Sequence, residues 1–171
     1  LGHPPYLKQI FDPVDPGRFV HQLNLHRMLT VKKLLAGKPN NQVHALSPDH
    51  MVIDALELMA QANIGALMVM KEDQLVGIFS ERDYARKGII QGRKAKSTPL
   101  SEVMIHNVHT VSPDMNIEDC MNLFTGKFIR HLPVVDQGRI IGMISIGDVV
   151  SSIIREQTSR IEFLEKYISG S

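Results

Sequence analysis

Two serine–aspartate phrases carry the most evident chemistry in this chain, Ser80-Glu-Arg-Asp83 and Ser145-Ile-Gly-Asp148. Each follows an apolar run, Leu75 to Phe79 or Ile140 to Ile144, and sits where a strand gives way to a helix. A carboxylate at such a turn can accept hydrogen bonds from both hydroxyls of a ribose, as an acidic residue does in dinucleotide folds. The serine three residues earlier can bond the same sugar or a phosphate. The plainer reading is a helix N-cap; the two are compatible, because a carboxylate has about four lone-pair sites. Arg82 stands at a helix start, where a phosphate can dock. Arg130 and His131 form a basic pair. The Arg fork donates two parallel bonds to a phosphate, whereas His adds charge only when protonated. A surface ion pair for Arg130 and a packing role for His131 are the alternatives.

The two serine–aspartate phrases belong to a longer repeat. A shift of 65 lays Val43–Asp83 on Val108–Asp148 without a gap. His44/His109, Pro48/Pro113, Gly77/Gly142, Ser80/Ser145 and Asp83/Asp148 are identical pairs. Such self-similarity means two copies of one supersecondary unit. Each copy reads as strand, helix, strand, strand, helix. Val43 to Leu46 and Val108 to Val111 are short strands, and the Ser-Pro-Asp phrases at 47 and 112 are helix starts. Val52, Ala55, Leu56 and Met59 fall on one helical face, as do Ile117, Cys120, Met121 and Phe124. Ala66–Met70 and Leu75–Phe79 flank a polar turn and read as a hairpin; Leu132–Val135 and Ile140–Ile144 do the same. Val31, Leu34 and Leu35 make an amphipathic turn ahead of the first copy, and 98–104 does so ahead of the second. The segments divide as 1–27, a leader or a native arm; 28–94 and 95–156, the repeats; and 157–171, a helical tail into which Ile154, Ile161 and Ile168 run at a spacing of seven. A unit of this size is marginal alone, so the copies are expected to pack sheet to sheet about a pseudo-twofold axis and share a core. The fold class is α/β, in the α+β sense.

The formal charge of +1 over 171 residues gives no broad field for nucleic acid or a membrane, so any anion site must be local. No apolar run approaches the roughly 20 residues of a membrane span. The single Cys120 lies on a core-facing helical position and reads as an inert thiol in a reducing compartment. His44 and His109 show no zinc spacing and are expected to face solvent or a capping partner. Neither a Walker loop nor a serine–histidine–acid arrangement supports catalysis.

The phrases Asn63-Ile-Gly-Ala-Leu, Gly77-Ile-Phe-Ser-Glu-Arg-Asp, Ile129-Arg-His-Leu-Pro-Val and Gly142-Met-Ile-Ser-Ile-Gly-Asp, in order and duplicated, resemble a cystathionine β-synthase (CBS) domain pair, or Bateman module. The resemblance covers about Met28 to Glu156. It implies a non-catalytic regulatory module that binds an adenine nucleotide in clefts between the two units and senses energy or redox state. AMP comes first among the ligands, with ADP, ATP or NAD(H) as alternatives. A dimerisation scaffold with non-functional sites is the other reading. The ligand-binding residues it implies are Ile64, Gly65, Ala66, Ser80, Arg82, Asp83, Thr98, Arg130, His131, Pro133, Ser145, Gly147 and Asp148. It further implies a homodimer, a protein target and a cytoplasmic setting, or an organelle matrix in a eukaryote. Arg130 and His131 replace Gly65 and Ala66 of the first copy, so the two sites are expected to differ.

Overall fold

The computed structural model describes residues 29–169. The expectation for residues 1–27 lies outside them. In chain order the elements are α1 (Val31–Ala36), β1 (Ala45–Leu46), α2 (Val52–Ala62), β2 (Ala66–Lys71), β3 (Gln74–Ser80) and α3 (Glu81–Lys87). After 3₁₀ turns at Ile89–Gln91 and Leu100–Glu102 come α4 (Ile117–Lys127), β4 (His131–Asp136), β5 (Arg139–Ser145) and α5 (Ile146–Ser169). The first sheet runs β1-β2-β3, with β1 parallel to β2 and β2 antiparallel to β3; the second is the β4-β5 hairpin. The two hairpins keep the 65-residue correspondence to the residue: Ala66 faces Ser80 and His131 faces Ser145.

The expected strand at 108–111 contracts to a single parallel bridge, Val111 to Val134. The cause is one residue. In the first sheet Met68 N–H donates to the His44 carbonyl at 3.0 Å. Its counterpart in the second sheet is Pro133, which has no N–H to give. The Ser-Pro-Asp phrases are likewise not helix starts: α2 and α4 begin later, after Met51 and Asn116. They form turns whose carbonyls serve another segment. Pro48 accepts from Ser101 N–H at 3.0 Å and Pro113 from Lys32 N–H at 2.8 Å.

Those bonds belong to an exchange. Rather than sharing one core, the repeats have one core each, and each is closed by a segment preceding the other repeat. Val31, Leu34 and Leu35 of α1 are buried with Ile117, Cys120, Phe124, Leu132 and Val134. Leu100, Val103 and Met104 are buried with Val52, Met59, Leu67, Val69 and Phe79. Val31 N–H bonds the Met115 carbonyl at 2.9 Å, and Val52 N–H the Thr98 carbonyl at 2.9 Å. Along β2 the side chains alternate: Leu67 and Val69 enter the first core, while Ala66 and Met68 are buried outside both. Ala66 and Met68 line a cavity together with Met143 and Ile144 of the second hairpin.

Gly77 and Gly142 allow the crossing segments to lie against the hairpins. A β-carbon on Gly77 would sit 2.5 Å from Met104 Sδ and 3.1 Å from the Ile105 carbonyl oxygen; on Gly142 it would sit 2.7 Å from Asn41 Oδ1. Ile105 and Ile78 are bonded to each other through both backbone groups, at 2.8 and 3.1 Å, so that backbone cannot simply withdraw. Gly77→Val should therefore destabilise the chain by about 1–3 kcal/mol in urea unfolding. Unchanged stability would mean that the crossing segment is free to move away.

Candidate functional site

Each strand-to-helix turn is built by a serine and an aspartate acting on one another. Ser80 caps α3, accepting from Asp83 N–H at 3.2 Å, and its hydroxyl donates to Asp83 Oδ2 at 2.5 Å. In the second copy Ser145 Oγ accepts from Asp148 N–H at 3.1 Å, while Asp148 Oδ2 accepts from Ser145 N–H at 2.7 Å and from its hydroxyl at 2.9 Å. In the second copy, where the Ser145 and Asp148 N–H groups are both satisfied, this is a capping box. Each serine accepts from an N–H of its helix, and in both copies the bonds that the aspartate accepts from its serine go to Oδ2.

Two cavities lie at these turns, each drawing residues from both repeats. The Asp83 cleft, about 90 Å³, brings Ser80, Arg82, Asp83 and Arg86 against Arg130 and His131, with Asn107, Val108, His109, Phe128 and Ile129 completing its wall. The Asp148 cleft, about 500 Å³, brings Ser145 and Asp148 against Ile64, Gly65 and Ala66, with Lys38, Asn40, Gln42, Val43 and His44 across from them. The pseudo-twofold relation holds residue by residue: Ser80 and Ser145, His109 and His44, Ile129 and Ile64 occupy matching places. His131 lines both cavities. Its Nε2 lies 3.9 Å from where a β-carbon of Gly65 would be.

Ten of the thirteen residues expected to bind ligand thus line a cleft. The exceptions are Thr98, Pro133 and Gly147. Thr98 is buried at 5% exposure with its carbonyl engaged by Val52, and Pro133 is buried within the hairpin. Gly147 stands beside the Ser145 hydroxyl and lines neither cavity. His44 and His109, expected to face solvent or a capping partner, line the clefts, and His44 Nε2 is buried with no hydrogen-bond partner. Neither was singled out as a site residue in the sequence, nor were Lys38, Arg86 and Phe128.

The clefts share a frame and differ in charge. Arg82, Arg86 and Arg130 around the Asp83 cleft make no ion pair among the described residues. Lys38 is the one lysine or arginine that lines the Asp148 cleft. Its ammonium donates to Asp148 Oδ2 at 2.9 Å and to the Met143 carbonyl at 3.0 Å. Burial alone would raise the Asp148 carboxyl. Hydrogen bonds from Lys38 and Ser145, with the Lys38 charge, outweigh it and hold the group below the ordinary carboxylate range. Burial, and then the adjacent Arg130 charge, push the His131 imidazole down to about 4, against the pull of Asp148 and Asp83. His131 is therefore neutral at pH 7. Burial raises the Cys120 thiol to about 11, as an inert core thiol requires.

Phe128 is the least expected member. It ends α4 in the left-handed region at φ 53°, the place that Asn63 takes after α2 at φ 52°. Asn adopts that backbone readily, whereas an aromatic adopts it at a cost. Phe128 is also 92% exposed at the mouth of the Asp83 cleft.

A duplicated frame with two acid-ended clefts between its halves defines the class of protein. The profile of the CBS domain matches residues 31–88 and 100–155, and the chain belongs to the CBS domain family. It is 42% identical over 127 residues to the mitochondrial CBS domain-containing protein CBSX3 of Arabidopsis thaliana; the match covers 71% of this chain and 62% of that protein's length. A solved structure of a protein with CBS domains from Burkholderia ambifaria is 44% identical at TM-score 0.73, covering 75% of this chain and 96% of that one. The CBS domain pair of MJ0100, solved with 5′-methylthioadenosine and S-adenosyl-L-methionine, shares the fold at TM-score 0.65 and 23% identity, covering 76% and 98%.

Two stability measurements test this geometry. Asp148 titrates below its unfolded value, so its contribution is full above about pH 4 and is lost as pH falls through the folded value. Lys38→Ala should cost about 1 kcal/mol at pH 7, and urea curves of variant and parent should converge below about pH 4; a constant gap would make Lys38 a packing residue. Phe128→Asn should raise stability by about 1 kcal/mol, the left-handed penalty it removes. A loss would mean that the ring packs usefully.

Proposed function

We propose that this chain is a non-catalytic regulatory module that binds an adenine nucleotide bearing a phosphate, AMP first, in the Asp83 cleft. The observation that carries the reading is the meeting, on one cavity, of Asp83 from one repeat with Arg130 from the other, flanked by Arg82 and Arg86. Asp83 keeps Oδ1 free of protein donors and can accept from a ribose diol. The unpaired guanidinium groups supply the planar donors that a phosphate takes in pairs. A volume of about 90 Å³ holds only part of a nucleotide. The base then lies along the open mouth, where the Phe128 ring offers a stacking face; stacking on an aromatic is worth about 1–3 kcal/mol per base. The complex of MJ0100 with two adenosine compounds supports the same ligand class.

In the Asp148 cleft the single lysine is already committed, and the opposing groups are neutral amides and His44. That cleft takes an adenosine moiety whose contacts are neutral, such as the second half of NAD(H). The module reports occupancy to a protein target, in the cytoplasm or an organelle matrix.

Calorimetry with AMP and adenosine tests the assignment. Arg130→Ala should weaken AMP about 10- to 100-fold, the worth of a hydrogen bond to a charged group, and leave adenosine nearly unchanged. Asp83→Ala should weaken both. Phe128→Asn should weaken both while stabilising the free protein. Equal losses for AMP and adenosine in Arg130→Ala, or no heat with either ligand in the parent, would overturn the reading.

A further inference from the structure

His131 belongs to neither cleft alone. It opens β4 opposite Ser145, in the repeat that supplies Asp148, and its ring lines the Asp83 cleft as well as the Asp148 cleft. The matching residue of the first repeat is Ala66, which lines the Asp148 cleft and not the other. Gly65 lies beyond the tip of the ring. A β-carbon there would stand 3.9 Å from His131 Nε2, and Gly65 too lines only the Asp148 cleft. One imidazole, supplied by one repeat, thus stands between the two cavities, and a glycine and an alanine leave it room on one side.

Little fastens the ring where it is. It makes no hydrogen bond among the described residues, and the charges acting on it come from both sides: Arg130 and Asp83 from one cleft, Lys38 and Asp148 from the other. A side chain held only in this way turns between its staggered positions. The space on its two sides is unequal, about 90 Å³ at Asp83 and about 500 Å³ at Asp148. A nucleotide settling beside Arg130 gains room when the ring turns toward Gly65, and that room is taken from the Asp148 cleft. A ligand seated against Gly65 and Ala66 keeps the ring on the Asp83 side. Each ligand therefore favours a different position of one side chain, which is what a conformational coupling requires. Such a coupling is reciprocal.

We propose that His131 is a partition shared by the two clefts, so that a ligand in either one weakens binding in the other. This rests on the assignment of AMP to the Asp83 cleft. The test is calorimetry of AMP with the full chain, altered on the far side of the ring. Gly65→Val fills the space into which the ring turns and adds nothing to the Asp83 cleft. It should weaken AMP about tenfold, within the usual range of coupling between sites. His131→Ala gives the second repeat the residue that the first already carries. In that background Gly65→Val should change AMP affinity by less than about twofold. A second measurement does not depend on the valine. The ring resonance of His131, assigned by its loss in His131→Ala, should shift with AMP in Asp148→Ala and with adenosine in Asp83→Ala. AMP that binds the parent and Gly65→Val alike overturns the partition alone. So does a loss that persists in His131→Ala, where the valine acts through the fold or AMP sits in the Asp148 cleft, and so does a resonance that answers to one ligand only. No heat from AMP in the parent overturns the assignment of the cleft and the partition with it.

Discussion

Neither repeat encloses itself, and the clefts depend on how that deficit is met. Three buried side chains from the segment ahead of one repeat close the core of the other: Val31, Leu34 and Leu35 in one direction, Leu100, Val103 and Met104 in the reverse. Each such side chain is worth roughly 1.5–3 kcal/mol when fully buried. A six-residue helix such as α1 has no stability of its own, so this packing is what makes it a helix. The exchange also places the walls of the clefts. Lys38 to His44 follow directly from α1, which is anchored in the second core; Asn107 to His109 follow the segment anchored in the first. The capping serines and aspartates supply one side of each cavity and the exchanged segments the other.

On this symmetrical frame the chemistry is not symmetrical. Matching positions hold Arg130 and Gly65, His131 and Ala66, Arg82 and Gly147, Phe128 and Asn63. Every one of these differences adds charge or aromatic surface to the Asp83 cleft. The Asp148 cleft keeps the small residues and has the larger cavity. Its lysine neutralises the acid instead of meeting a ligand's anion. Duplication supplies the backbone twice, and a few side chains then decide the class of ligand each copy receives.

Much of this is written in local sequence, and what is not has a physical reason. The hairpins, the helices and the serine–aspartate turns follow from period and turn chemistry, which act over a few residues. Ile64, Gly65 and Ala66 are legible as cleft residues because the family phrase contains them. The exchange of closing segments is not, since it pairs Lys32 with Pro113 and Ser101 with Pro48 across the whole fold. The Ser-Pro-Asp phrases misled for the same reason: their carbonyls answer a distant segment, not a helix of their own. The loss of the strand at 108–111 was legible in principle from Pro133, whose missing N–H meets a partner known only once the register is fixed. Phe128 gave a signal too, standing where the first repeat has the Asn expected after a helix.

His131 joins the two clefts. Its ring lines both clefts, and it senses Asp83 and Asp148 together with Arg130 and Lys38. Burial outweighs both carboxylates, so the ring stays neutral and the Asp83 cleft keeps its positive charge on the arginines alone. A neutral wall in a medium of lower dielectric than water screens little. A phosphate beside Arg130 offsets the charge that helps hold the imidazole down, while displacement of Lys38 from Asp148 exposes it to an unpaired carboxylate. Both changes act in the same direction on a side chain that borders each site. The electrostatics of one cleft are therefore never set independently of the other.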